Sequence, residues 1–212
     1  MDLFDFGDGN GPVPAHRHVM RKDILPEAVR EKGMVAVLVN AEDRDTILGG
    51  WVANTAMVAP EVLLEVGATV FGKAQVRGRV WVMGGAKIYD LAKVSGSAWI
   101  HDDAQIYGEA KIWGKTKVGR RARVSGHAQV FDEALATDDA IVEGKAIVGG
   151  NAVLRGDACV YGEVIVGGGV TLDGGEMLHS GVYGDIGCSK LLKSFYSKEY
   201  AQKVMALDAY IG

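Results

Sequence analysis

The sequence predicts an all-β fold, a single-domain parallel β-helix built from hexapeptide repeats, on three observations. Read in sixes from Ala56, the chain passes through twenty hexads to Gly175 without an inserted or deleted residue. Position one of the hexad is Ala in fifteen cases, Val at 62, 80, 164 and 170, and Thr at 116; position three is Val, Ile or Leu everywhere except Ala136. Position five is Gly or Asp in seventeen hexads. Side chains of a strand alternate between its two faces, so positions one and three face one side and positions two and four the other. A small Ala beside a branched aliphatic lets three walls close around a narrow interior. Position five turns the corner, where Gly accepts positive φ freely and Asp better than most residues. An amphipathic helix is excluded, because its apolar residues recur every 3.6 positions rather than six. Three hexads make one coil, so residues eighteen apart stack on one wall. Twenty hexads give six to seven coils, about 32 Å tall at roughly 4.8 Å per coil.

The elements follow in chain order. Residues 1–55 read as an N-terminal cap, needed because an open β-helix exposes unpaired strand edges at its ends. Inside the cap an insertion at 19–48 has no hexad register. Residues 26–32 read as a short helix with Pro26 in its first turn and Gly33 as its stop, and 34–39 as a β-run. The β-helix occupies 56–187. Residues 188–212 form a C-terminal helical segment: Leu192, Tyr196, Tyr200, Val204, Leu207 and Ile211 fall three and four apart, an apolar stripe on a helix spanning about 189–206. A surface for that stripe is offered at outward position two, which is apolar in six successive hexads (Leu135, Ile141, Ile147, Val153, Cys159 and Ile165). An exposed belt of that extent calls for cover by the C-terminal segment or by neighbouring subunits.

Composition narrows the function. With 48% hydrophobic residues and only four prolines the chain is no disordered linker. A net charge of −4 lacks the overall basic footprint of a duplex nucleic-acid binder. Two cysteines, Cys159 and Cys188, make no disulfide framework. Neither a secretory leader nor an apolar run of membrane-spanning length is present, so the expected location is the cytoplasm of a bacterial cell, without a membrane partner.

The candidate ligand-binding residues lie on the outer walls. Phe71, Tyr89 and Tyr107 share position four of one wall, Trp81 and Trp99 position two of another, and Trp113 and Phe131 position four of the third. Basic residues gather in the same coils: Lys87 and Arg123 on the Tyr89 wall, Lys93 and Lys111 on the Trp113 wall, and Lys117 above Trp99. Aromatic faces beside cations suit a base and a phosphate. The same columns also serve as ordinary cross-strand packing on a solvated or subunit-facing surface. The site proposed from sequence comprises Trp81, Trp99, Lys117, Tyr89, Tyr107, Lys87, Arg123 and His101.

The Ala-x-Val-x-Gly-x phrasing, as in 68–73, 74–79 and 158–163, resembles the hexapeptide-repeat superfamily of trimeric left-handed β-helix proteins, over about 120 of the 212 residues. Its Gly two residues after the aliphatic position is most similar to a poorly characterised bacterial and phage branch. The segment 9–18, with Gly49, Gly50, Trp51 and Val52 following the insertion, is similar to the opening of phage and prophage members. The resemblance implies a left-handed coil and a homotrimer with ligands in inter-subunit clefts. Its best-known members are acyltransferases, in which an outward histidine acts as general base; His101 and His127 are the residues here that could carry that role. Two departures weigh against acyl transfer. The extended loop usual among those enzymes is missing, and 184–189 stands where the coenzyme A signature is expected. His16 and His18 alternate onto one face of an extended segment but lack a third ligand, so no metal is expected, and no cofactor either. The leading expectation is a homotrimeric, non-catalytic, phage-encoded binding protein that holds an anionic small molecule such as a nucleotide, with signal sequestration as its role. An acyltransferase and a structural assembly module are the alternatives.

Overall fold

The computed structural model describes residues 2–25, 37–40, 42–43 and 45–184. The helices expected over 26–32 and 189–206 lie outside these residues. From 57 onward the chain forms a parallel β-solenoid of about seven turns, its third wall a seven-stranded sheet that runs from Leu63–Leu64 to Thr171–Asp173. Wall one carries Thr69–Val70, Lys87–Ile88, Gln105–Ile106 and their successors; wall two carries Met57–Val58, Gln75–Val76, Lys93–Val94 and theirs. Every pairing through these coils is parallel and links residues eighteen apart, as in Lys87↔Gln105, Lys93↔Lys111 and Trp99↔Lys117.

The alternation decides the core. Ala104, Ile106, Ala110, Ile112, Val118, Ala122 and Val124 are all 0–1% exposed, and the same columns continue in both directions. Each buried Val or Ile contributes about 1.5–3 kcal/mol over an exposed one. Thr116 is the polar exception at position one. It is fully buried, and its hydroxyl finds no partner among the described residues.

The corners show why Asp alternates with Gly at position five. Asp90, Asp102, Asp132 and Asp138 have φ of 57–61°, in the left-handed region. Each carboxylate also accepts the backbone N–H of the position-five residue one coil on, at 3.1–3.3 Å: Gly108, Arg120, Gly150 and Gly156. Glycine prevails elsewhere because coils approach closely; a Cβ on Gly96 (φ 81°) would lie 2.6 Å from the Gly114 nitrogen.

The N-terminal strands pack against the lower end. β1 (Asp2–Phe4) pairs antiparallel with β2 (Val13–Arg21), which pairs antiparallel with β4 (Thr46–Ala53), and the short β3 (Leu38–Val39) flanks β4. Trp51 and Val52 of β4 pair in parallel with Thr69 and Val70, so the wall-one ladder begins one hexad before Ala56. The strand edge of wall three is closed by side chains. His18 Nε2 donates to the Val62 carbonyl at 3.0 Å, and Met20 Sδ accepts the Leu64 N–H at 3.3 Å. A register shift in β2 between Arg17 and Val19 moves the buried face from odd to even residues. His16 and His18 therefore do not share an environment: His16 is exposed and bonded to Asn54 Oδ1, while His18 is buried.

At the upper end the strand Cys159–Val166 runs across walls one and two and pairs with Met177–Tyr183, where the eighteen-residue offset is lost between Val160 and Glu163. The apolar belt is not exposed within one chain: Ile147 and Ile165 are buried and Leu135, Ile141, Val153 and Cys159 half-buried. Burial raises the Cys159 thiol above its ordinary value, the setting of a packed rather than a nucleophilic cysteine.

Candidate ligand face

Wall three presents Leu63, Trp81, Trp99 and Lys117 in one column at position two, in register from coil to coil. Its lower end is covered. Met20, Leu25, Ile47 and Leu63 form a buried cluster against which Trp81 and Met83 pack. The Trp81 and Trp99 rings stack with centroids 5.0 Å apart and planes 3° from parallel, so coil spacing sets the stack. Trp99 is the open end of that ladder and is 41% exposed. Over its other face stands the Lys117 ammonium, 5.6 Å from the ring centroid, near the outer limit of a cation–π contact.

His101 shares this face with Trp99, two residues along the same outward alternation. Its imidazole fills the space over Gly119 in the next coil, where a Cβ would come within 2.1 Å of the ring. The glycine at that position-four site is thus the bed of the histidine. His101 Nδ1 and Asp102 Oδ2 are 2.9 Å apart, and the same carboxylate oxygen accepts the Arg120 N–H. At the corner between walls three and one, Asp102, Asp103, Arg120, Arg121, Asp138 and Asp139 line a shallow cleft of about 370 Å³. Its charges satisfy one another: Arg120 pairs with Asp138 at 3.1 Å and Arg121 with Asp139 at 2.6 Å. With four carboxylates against two guanidinium groups the cleft is no anion site. Among the described residues no group of three or more His, Cys, Asp or Glu could hold a metal ion.

The wall-one candidates are arranged differently. Phe6, Phe71, Tyr89 and Tyr107 form one continuous stack with centroid steps of 4.8, 4.8 and 5.0 Å, and Phe4 links it to Trp51. Both faces of Tyr89 are used within the stack. Its hydroxyl donates to Gln105 Oε1, and burial foremost, with Tyr107 and Asp90 adding, pushes its pKa up to about 12. Lys87 and Arg123 stand beside this ladder in one column with Gln105 between them. A single chain thus groups Trp81, Trp99, Lys117 and His101 on one wall and Lys87, Tyr89, Tyr107 and Arg123 on another, facing a different direction. His127 is remote from His101. It sits at the corner between walls one and two, 3.3 Å from Glu109.

One feature of the surface escapes a whole-chain charge count. Residues 68–127 carry eleven Lys and Arg against four Asp and Glu, a net +7, whereas residues 128–184 carry two against nine, a net −7. The solenoid converts that segregation along the chain into segregation along the prism axis: a basic lower band and an acidic upper one. Summing charge coil by coil finds it, and Trp99 and Lys117 lie inside the basic band. The Phe4 and Phe6 rungs left no periodic signal, since they reach the stack from outside the repeat.

A scan against protein-family models returned no match, and a search of curated proteins likewise found none.

Proposed function

We propose that the chain is a non-catalytic binding protein that holds an anionic small molecule with a flat ring, of the nucleotide class, on wall three. The observation that carries this reading is Trp99: a 41% exposed indole at the end of a two-tryptophan stack, with a lysine ammonium over its outer face. A planar base would take the position of the next rung, and the displaced Lys117 would meet the phosphate. Magnitudes favour the exchange. An exposed cation–π contact is worth about 0.5–1 kcal/mol, while stacking a base on an aromatic side chain contributes about 1–3 kcal/mol. The basic band adds long-range attraction for an anion. Assembly as a left-handed homotrimer, which the resemblance in the repeats supports, would set a neighbouring copy beside this wall and deepen the face into a cleft.

The test is titration of the protein with AMP, followed by tryptophan fluorescence. Quenching is expected, with affinity falling at least about tenfold in Trp99→Ala and largely restored in Trp99→Phe. Equal affinity in the parent and in Trp99→Ala would remove this face from consideration.

A second reading has one specific observation in its favour. The Asp102 carboxylate at His101 Nδ1 orients the imidazole as a general base is oriented in acyl transfer. Consumption of a coenzyme A thioester that disappears in His101→Ala would support it. Failure of coenzyme A to bind would exclude it.

A further inference from the structure

We infer that the ligand of wall three belongs to a larger class than a mononucleotide: a short single-stranded oligonucleotide whose backbone crosses the corner from wall three onto wall two. This rests on the reading of Trp99 and Lys117 given above and extends it.

Three observations carry it. The first is a basic edge. Arg79 and Lys115 stand at position six of the corner between walls two and three, with Arg77, Lys93 and Lys111 on wall two and Lys117 beyond the corner. Over hexads 74–85, 92–103 and 110–121, which form these two walls, Asp102 and Asp103 are the carboxylates, and both lie at the opposite corner of wall three. Lys115 is held by Glu133 of the coil above. Lys93, Lys111 and Lys117 form no ion pair among the described residues, and Arg77 hydrogen-bonds only the neutral Gln75 and Met57 side chains.

The second observation is that Lys93 and Lys111 are in-register neighbours on adjacent strands. Like charges in direct register, with strands about 4.8 Å apart, oppose folding rather than assist it. A phosphate bridging the two ammonium groups turns that repulsion into attraction. The third is direction. Lys111 and Lys117 stand at outward position two of adjacent walls and project in different directions, so a ligand that reaches both must turn the corner between them. On the other side of Trp99 the carboxylates of Asp102, Asp103, Asp138 and Asp139 repel a backbone, which leaves wall two as its path. Stacking on Trp99 uses a base face that inside a duplex is already occupied by the neighbouring pair, which favours a single strand.

The experiment is fluorescence anisotropy with a labelled oligothymidylate of about 12 nucleotides, competed with dTMP and with inorganic polyphosphate. The strand should bind at least about tenfold tighter than dTMP, and its affinity should fall with salt at a logarithmic slope of about −1.4, as two phosphate contacts require. Lys93→Ala combined with Lys111→Ala should weaken the strand about tenfold and leave dTMP unchanged. Strand affinity no better than that of dTMP, or unmoved by the double substitution, overturns the inference while the wall-three reading stands if Trp99→Ala still abolishes dTMP binding. Polyphosphate binding as tightly as the strand, with no effect of Trp99→Ala on either, overturns both, because charge alone would then account for the affinity. No binding of strand or dTMP also overturns both.

Discussion

The lower and upper bands of the prism make a natural experiment. Residues 68–127 have a net charge of +7 and residues 128–184 a net −7, with aromatic and basic outward columns below and an apolar belt with acidic corners above. Inside, the two are alike: Ala104 and Ile106 below and Ala140 and Val142 above are all 0% exposed. Outward residues that differ this much on a common interior show that the coil is specified by positions one, three and five. Positions two, four and six are left to vary. A surface charge pair contributes only about 0–1 kcal/mol, so even the Lys93↔Lys111 repulsion is tolerated. Function in such a fold is therefore sought on the outward columns and in how charge is distributed along the axis.

The largest expected effects test whether the interiors are equivalent. Val118→Asp below and Val142→Asp above each drive an unpaired charge into the prism, and both should cost several kcal/mol and abolish cooperative thermal unfolding near the parent transition. If one variant folds normally and the other does not, the interiors are not equivalent and the comparison fails. The next effect belongs to the lower band. Thr116→Val keeps the side chain's shape and removes a buried hydroxyl without a partner, so it should stabilise the protein by about 1–2 kcal/mol in urea unfolding. A destabilised Thr116→Val would mean that the hydroxyl has a structural role.

The smallest effect concerns the N-terminal strands beneath that band. Burial holds His18 below its ordinary value of 6.5, so the unfolded chain takes up the proton more readily than the folded one. Stability from this group is complete above pH 6.5 and declines as pH falls through and below it, by at most about 1.4 kcal/mol per pH unit. His18→Gln retains a donor for the Val62 carbonyl and should flatten that limb of the stability profile. An unchanged acid limb would place the pH dependence elsewhere.

How much was legible beforehand varies residue by residue. The columns Trp81–Trp99, Phe71–Tyr89–Tyr107 and Trp113–Phe131 are consequences of eighteen-residue spacing, and all three stack in the structure. The inward columns and the Gly and Asp corners follow in the same way. Which candidates remain open to a ligand did not follow: Tyr89 is enclosed by its own ladder, whereas Trp99 is not. His16 and His18 obey simple alternation until the register shift beside them places one in water and the other under the solenoid.

The division has one physical cause. Alternation, corner chemistry and an unbroken six-residue period are local properties, so the sequence by itself determined the coil, its interior and the residues that stack. The ends of the stacks depend on segments that arrive from outside the repeat, by antiparallel pairing whose register no period encodes. Only the tertiary structure decided that Phe6 caps the tyrosine ladder, that Met20 and Ile47 close the lower side of Trp81, and that the outer face of Trp99 was left to Lys117.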